Sequence, residues 1–147
     1  MPDLSKKTTK CSRIFGAGGI VMHKSRIGNI VIDCPTEDLL REARFWSTAL
    51  GCNLPDDASA DSEFIQLKTK AGEVQIILQA IERDSAGVHL DIETDSIEAE
   101  VARLEKIGAT IVVRHDRWTV MQAPSGHKFC VGAPYRGGFE ADANTWL

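Results

Sequence analysis

Few side chains in this sequence have both the type and the setting to do chemistry. His89 lies in the alternation Val88-His-Leu-Asp-Ile-Glu93, and an imidazole titrates close to neutral pH, which suits it to donate or accept a proton. Residues two apart on a strand share a face, so Asp91 and Glu93 fall on the side of His89. Either Glu93 or Asp33 is a carboxylate able to orient the ring. Cys130 is the second reactive type. Paired with His89 it would be a nucleophile beside its base, whereas an ordinary free cysteine is a small buried hydrophobe. Trp118 follows the charged run Arg114-His-Asp-Arg117, where an indole either stacks on a ligand or packs. Gln75 and Gln79 share a face with Ile77, so two amides point one way, toward a polar ligand or toward solvent. His115 and His127 stand in turn contexts and read as solvated, and His23 reads as part of the tail.

The elements that must hold these residues form a repeated pattern. Gly28-Asn-Ile-Val-Ile-Asp33 alternates as a half-buried strand, with Ile30 and Ile32 on one face and Asn29, Val31 and Asp33 on the other. Pro35 breaks it, Thr36 is the expected helix cap, and Leu39, Ala43, Trp46 and Leu50 recur at helical spacing up to a stop at Gly51. Trp46 reads as core. Strands follow at Phe64 to Thr69 and Val74 to Gln79, joined by the hairpin link Lys70 to Glu73. The same order then recurs. A strand carries Val88, Leu90 and Ile92, Asp95 stands three before Glu98 in a capping-box arrangement, and Ile97, Val101 and Leu104 mark a helix stopped by Gly108. Strands at Thr110 to Val113, Trp118 to Gln122 and Lys128 to Gly132 complete it, the last two joined by Pro124-Ser-Gly126. Superposing the halves sets Asn29 against His89 and Asp33 against Glu93.

The sequence predicts a loose, basic tail over residues 1–26, then one domain over 27–147. The domain divides into a first module at about 27–80, a second at about 88–133 and a C-terminal extension at 134–147. The Gly16 to Gly19 cluster lacks the preceding strand and the glycine-lysine order of a phosphate loop. With 147 residues, a net charge of -4 and 43% hydrophobic residues, the chain can bury a sufficient core without disulfides or structural metal. It lacks the basic face that nucleic acid requires. Its four cysteines are scattered and read as reduced thiols. No apolar run approaches the ~18 residues of a membrane span, and no cleavage signal follows the basic start, so a cytoplasmic location is expected.

The stretches Ile30-Val-Ile-Asp-Cys34, Arg44-Phe-Trp-Ser-Thr-Ala-Leu-Gly51, Val88-His-Leu-Asp-Ile-Glu-Thr-Asp95, Ala102-Arg-Leu-Glu-Lys-Ile-Gly-Ala109 and Ala123-Pro-Ser-Gly-His-Lys-Phe-Cys130 resemble, in order and spacing, the glyoxalase, bleomycin-resistance and extradiol-dioxygenase superfamily. The glyoxalase-like branch is the nearest in pattern. The resemblance implies an α+β fold of two βαβββ modules, a cupped mixed and antiparallel sheet, a small molecule in the cup, and a homodimer. It also implies divalent-metal ligands at one position in the first and last strand of each module. Carried over, these are Asn29, approximately Ile77, His89 and Cys130, of which only His89 keeps a usual identity. Replacement of the others by an amide, an aliphatic residue and a thiol disfavours a metal, although His89 and Cys130 together are donors for a soft ion such as zinc or copper. The expected ligand contacts are Asn29, Gln75, Ile77, Gln79, Asp91, Trp118 and Cys130, with His89 as the catalytic residue. The implied function is a glyoxalase-like lyase, isomerase or dioxygenase with an eroded metal site. The alternative is a drug-resistance-type protein that sequesters a ligand and does no chemistry.

Overall fold

The computed structural model describes residues 21–82 and 85–147. The glycine cluster lies outside that range, as do the first twenty residues of the expected tail. The β-branched run Ile30-Val31-Ile32 lies in β1 (His23–Cys34), and Pro35 ends the strand, since proline has no N–H for the ladder. Helix α1 (Leu39–Leu50) follows, then β2 (Phe64–Gln66) and β3 (Gln75–Ala80). The second module comprises β4 (Gly87–Thr94), α2 (Ile97–Lys106), β5 (Thr110–Arg114), β6 (Trp118–Gln122) and β7 (Lys128–Gly132). The C-terminal extension forms a short turn of helix, α3 (Phe139–Asp142), and β8 (Asn144–Trp146).

One mixed sheet runs β2-β3-β1-β4-β7-β6-β5, with β8 added beside β1. The modules meet through their first strands, β1 antiparallel to β4, while β1 pairs β3 and β4 pairs β7 in parallel. The α+β fold of paired modules is therefore as the sequence implies. The first module is the less complete: its fourth strand is reduced to a single bridge between Asn53 and Lys68.

Each helix covers its own module on one face of the sheet. Leu39 and Ala43 of α1 pack with Cys34, Ile65, Leu67 and Leu78, and Trp46 packs against this cluster. Val101 and Leu104 of α2 pack with Ala109, Met121 and Val131. Each fully buried aliphatic side chain contributes roughly 1.5–3 kcal/mol. Leu50, at the end of the helical stripe, is 48% exposed.

Several boundaries differ from those the sequence predicts. The tail does not extend to residue 26: β1 begins at His23, and His23, Ser25 and Arg26 are buried. The cause is tertiary, because this half of β1 lies between β8 and β4, with His23 opposite Trp146 and Ser25 opposite Thr94. Glu100 of α2, fully buried, accepts hydrogen bonds from Ser25 Oγ at 2.9 Å and Arg103 Nη2 at 2.7 Å and pairs with His23 Nε2 at 2.7 Å. Burial alone would raise the Glu100 carboxyl, but these donors hold it below its usual range. Nor is β1 half-buried. Asn29, Val31 and Asp33 are as covered as the helix-facing side, as befits a strand with neighbours on both edges. Helix α1 is capped by Asp38, whose carboxylate accepts from Arg41 N at 3.0 Å, and not by Thr36. Helix α2 is capped by Ser96, while Asp95 accepts from Lys24 N at 2.8 Å and so ties α2 to β1.

Candidate functional site

The uncovered face of the sheet is set by strand parity. Ile32, Ile76, Leu78, Ile92, Met121 and Val131 face the helices, so their sequence neighbours face the concave side. Register then lines up Gln75, Asn29, Asp91, Cys130 and Val120 across five strands. His89 stands on the same face, opposite Val31.

Five side chains of this face meet: Asn29, Asp33, His89, Asp91 and Cys130. Asp33 Oδ2 lies 3.0 Å from His89 Nδ1, and Asp91 Oδ1 lies 3.4 Å from His89 Nε2. Asn29 donates from Nδ2 to Asp91 Oδ2 at 3.0 Å. The ligand atoms of His89, Asp91 and Cys130 all lie within 4.8 Å of one another. The imidazole is pushed up to about 10, first by its bond to Asp91, then by Cys130 and Asp33, against the opposing effect of burial. At neutral pH the metal-free ring is therefore a cation held between two carboxylates.

Asp33, and not Glu93, is the carboxylate that orients His89. Glu93 is 2% exposed and committed elsewhere: its Oε2 accepts from Arg26 Nε at 2.9 Å. Its Oε1 accepts the backbone N–H groups of Tyr135 at 3.3 Å and Arg136 at 3.1 Å. Arg26 also donates to the carbonyls of Arg136 at 2.7 Å and Gly137 at 3.0 Å. The Arg26 and Glu93 pair thus straps the C-terminal extension to the sheet and delivers Tyr135, whose hydroxyl donates to Asn29 Oδ1. Burial, and then the charge of Asp91, push that phenol up to about 12, so it remains a neutral donor. Gly28 allows this arrangement. It sits at a bulge in β1, and a Cβ there would lie 2.6 Å from Glu93 Cγ.

The remaining candidates fall outside the cluster. Ile77 pairs with Val31, one row from Asn29, whose partner on β3 is Gln75. Gln75 Oε1 is buried and lacks a hydrogen-bond partner among the described residues. Gln79 pairs with Asp33 on the same face. Trp118 lies at the β5–β6 turn, stacked on His115 with ring centroids 4.4 Å apart. His127 meets Ser125 Oγ at 2.8 Å in an exposed turn. Tyr135 carries no signal in the sequence, because its contacts come from a segment without strand or helix periodicity. Strand parity marks Asp91 as a ligand contact, and the structure adds it as a third donor beside His89 and Cys130.

The four metal positions implied by family resemblance do not form a ligand set, since Asn29 is engaged with Asp91 and Tyr135 and Ile77 has no donor. A different set does fit an ion: imidazole, carboxylate and thiol together match a zinc-type preference better than that of magnesium or calcium. The Asp33 bond to Nδ1 is the outer support that metal-ligating histidines usually have.

Residues 29–132 match the model of the glyoxalase-like domain family. No curated protein matches the chain. Among solved structures, a hypothetical protein from Bacillus halodurans is similar, with 15% identity, 78% of this chain and 97% of that chain covered, and a TM-score of 0.56. A glyoxalase/bleomycin resistance protein/dioxygenase superfamily member from Vibrio splendidus has 19% identity over 75% of this chain and 99% of its own, with a TM-score of 0.50. An extradiol ring-cleaving dioxygenase from B. fuscum has 14% identity and a TM-score of 0.52 over 76% of this chain, which spans 33% of that protein. At these identities the likeness to solved structures is one of fold. The family match, over more than half of the sequence, establishes that the chain belongs to the glyoxalase-like domain family.

Proposed function

We propose that the chain is an enzyme of the lyase or isomerase type that acts on a small organic molecule in the cup, at a divalent-metal centre held by His89 Nε2, the Asp91 carboxylate and Cys130 Sγ. The carrying observation is the convergence of these three donors within 4.8 Å, with Asp33 on the far nitrogen of the ring. When bound, such an ion supplies Lewis-acid polarisation of a substrate oxygen. The chain supplies the orientation. Asp33 holds the proton on Nδ1 and leaves Nε2 for the ion, and Asn29 fixes one oxygen of Asp91 so that the other turns toward His89. Tyr135 anchors Asn29 in turn. A protein that only sequesters its ligand needs an apolar cup with a few amides and has no use for these converged donors.

The test is calorimetric titration of chelator-stripped protein with Zn, Co, Ni, Mn and anaerobic Fe(II), repeated on His89→Ala, Asp91→Asn and Cys130→Ser. The expected result is one-to-one binding strongest for Zn or Co and lost in each variant. Background heats in the unaltered protein, or binding retained in both Asp91→Asn and Cys130→Ser, would sink the proposal and leave ligand sequestration as the better reading.

A further inference from the structure

We propose that the helix side of β1 and β4 is a docking surface for a second copy of this chain, which lays its α2 into the gap between α1 and α2. Three cross-strand pairs form the floor of that gap: Ile27 with Ile92, Ile30 with Leu90 and Ile32 with Val88. Directly opposed residues share a face, and Ile32 and Ile92 pack against the two helix-side cores, so all six point to the helix side. Six aliphatic side chains in the middle of a sheet are ordinarily covered. Here neither helix reaches across them, because α1 lies chiefly over β2 and β3, whereas α2 lies over β5, β6, β7 and the start of β1. Val88 is therefore 62% exposed, Leu90 45% and Ile27 41%. A contiguous apolar strip without a charged residue, on a chain whose net charge is -4, marks a surface that another element covers.

The shape of the gap selects the occupant. Two uncovered strands leave a floor about 10 Å wide between the helix-covered parts of the sheet, the diameter of one helix. From Ile27 to Ile32 the floor runs roughly 17 Å, the length of about 11 helical residues, and α2 has 10. The outward side of α2, opposite the buried Val101 and Leu104, carries Ala99 and Ala102, whose small side chains allow close approach to the strip. The outward side of α1 instead carries Arg41, Arg44 and Thr48, with two guanidinium groups that an apolar floor cannot satisfy. Seating each α2 in the other copy's gap sets it beside that copy's α1. The exposed charges of these helices are opposite in sign, Arg41 and Arg44 on α1 against Glu98 and Glu105 on α2, whose Lys106 stands at its last position. Of the four, only Arg41 has an ion pair among the described residues, with Glu42. Contact about a twofold axis is made twice, so each copy buries both its strip and its helix. That doubling carries the contact toward the roughly 800 Å² per partner of stable interfaces, which a strip of about 170 Å² in plan does not reach alone.

The experiment is sedimentation velocity of the full-length protein across a wide concentration range, with circular dichroism and Tm recorded for every variant. The expected result is a dimer whose dissociation constant rises by about a hundredfold or more in Leu90→Glu while the fold is kept, since residue 90 is already half in solvent. Phe64→Glu charges a comparably exposed apolar residue on edge strand β2 and should leave the dimer intact. Arg44→Glu should weaken association by about tenfold, and adding Glu98→Arg and Glu105→Arg should return it to within about threefold of the unaltered protein. A monomer at every concentration overturns the proposal and leaves the strip to a helix of a different protein or to another segment of this chain. Association undiminished in Leu90→Glu, an equal loss in Phe64→Glu, or no recovery on charge reversal also overturns it. The strip lies on the face away from His89, Asp91 and Cys130, so the outcome does not depend on whether a metal binds there.

Discussion

The behaviour of His89 depends on Asp33, whose Oδ2 lies 3.0 Å from the ring Nδ1. In the metal-free protein the ring's pKa rises from 6.5 to about 10, so its protonation stabilises the fold. The sign follows from the direction of the shift. The contribution is complete below pH 6.5, where the unfolded ring is also protonated, and is lost as pH rises through about 10. Denaturant titrations at pH 7 and pH 10.5 should therefore show a larger loss of stability for the unaltered protein than for His89→Gln. Asp33→Asn should lower the His89 pKa, as read by NMR titration of the ring protons, and weaken zinc by about 10- to 100-fold, the usual effect of losing an outer-shell partner. Zinc uptake at neutral pH should also release protons, because the ion displaces the one on Nε2. The sequence shows His89, Asp91 and Cys130 individually, since strand parity places them on one face. Their convergence is not visible there, because it depends on Asp91 and Cys130 being in register across β4 and β7, which strand periodicity alone does not specify.

At the level of elements, α1, α2 and the repeated element order of the two modules follow from periodicity, and the paired-module fold follows from the family resemblance. Helix stops at Gly51 and Gly108 are legible because left-handed backbone favours glycine, with φ of 67° and 108°. The errors cluster where partners are distant in sequence. Residues 23–26 show no amphipathic alternation, and their burial depends on Glu100, about 75 positions away, which no local pattern announces. Each cap falls one or two residues from its expected site because several side chains in each turn can cap, and tertiary contacts select among them. The cost of this clamp is measurable. Glu100→Ala removes a buried carboxylate from three donors and should destabilise the protein by about 3 kcal/mol or more, read as a lower denaturant midpoint. Gly28→Ala should cost about 1–3 kcal/mol, because its methyl would have to displace the packed Glu93 side chain.

Across the whole molecule, the C-terminal extension supports the site and the fold together, since one ion pair, Arg26 with Glu93, holds residues 135–137 and through them Tyr135. Removing residues 134–147 should lower Tm and weaken metal binding in parallel, whereas Tyr135→Phe should affect the metal far more than Tm. The antiparallel pairing of β1 with β4 has a further consequence. In that register Ile30 lies opposite Leu90, which is also its equivalent in the repeat, so the approximate twofold axis of the duplication passes between them. The four central strands pair symmetrically about that axis, β1 with β3 and β4 with β7 both in parallel, but their chemistry is not symmetric: Asn29 stands where the other half has His89, and Cys130 lies in the second half alone. A ligand with two identical arms would meet donors on one side and amides and aliphatic residues on the other. Under the proposed function, reaction should therefore occur at a single enantiotopic arm, and a symmetric substrate should yield one stereoisomer, read by chiral chromatography of the product.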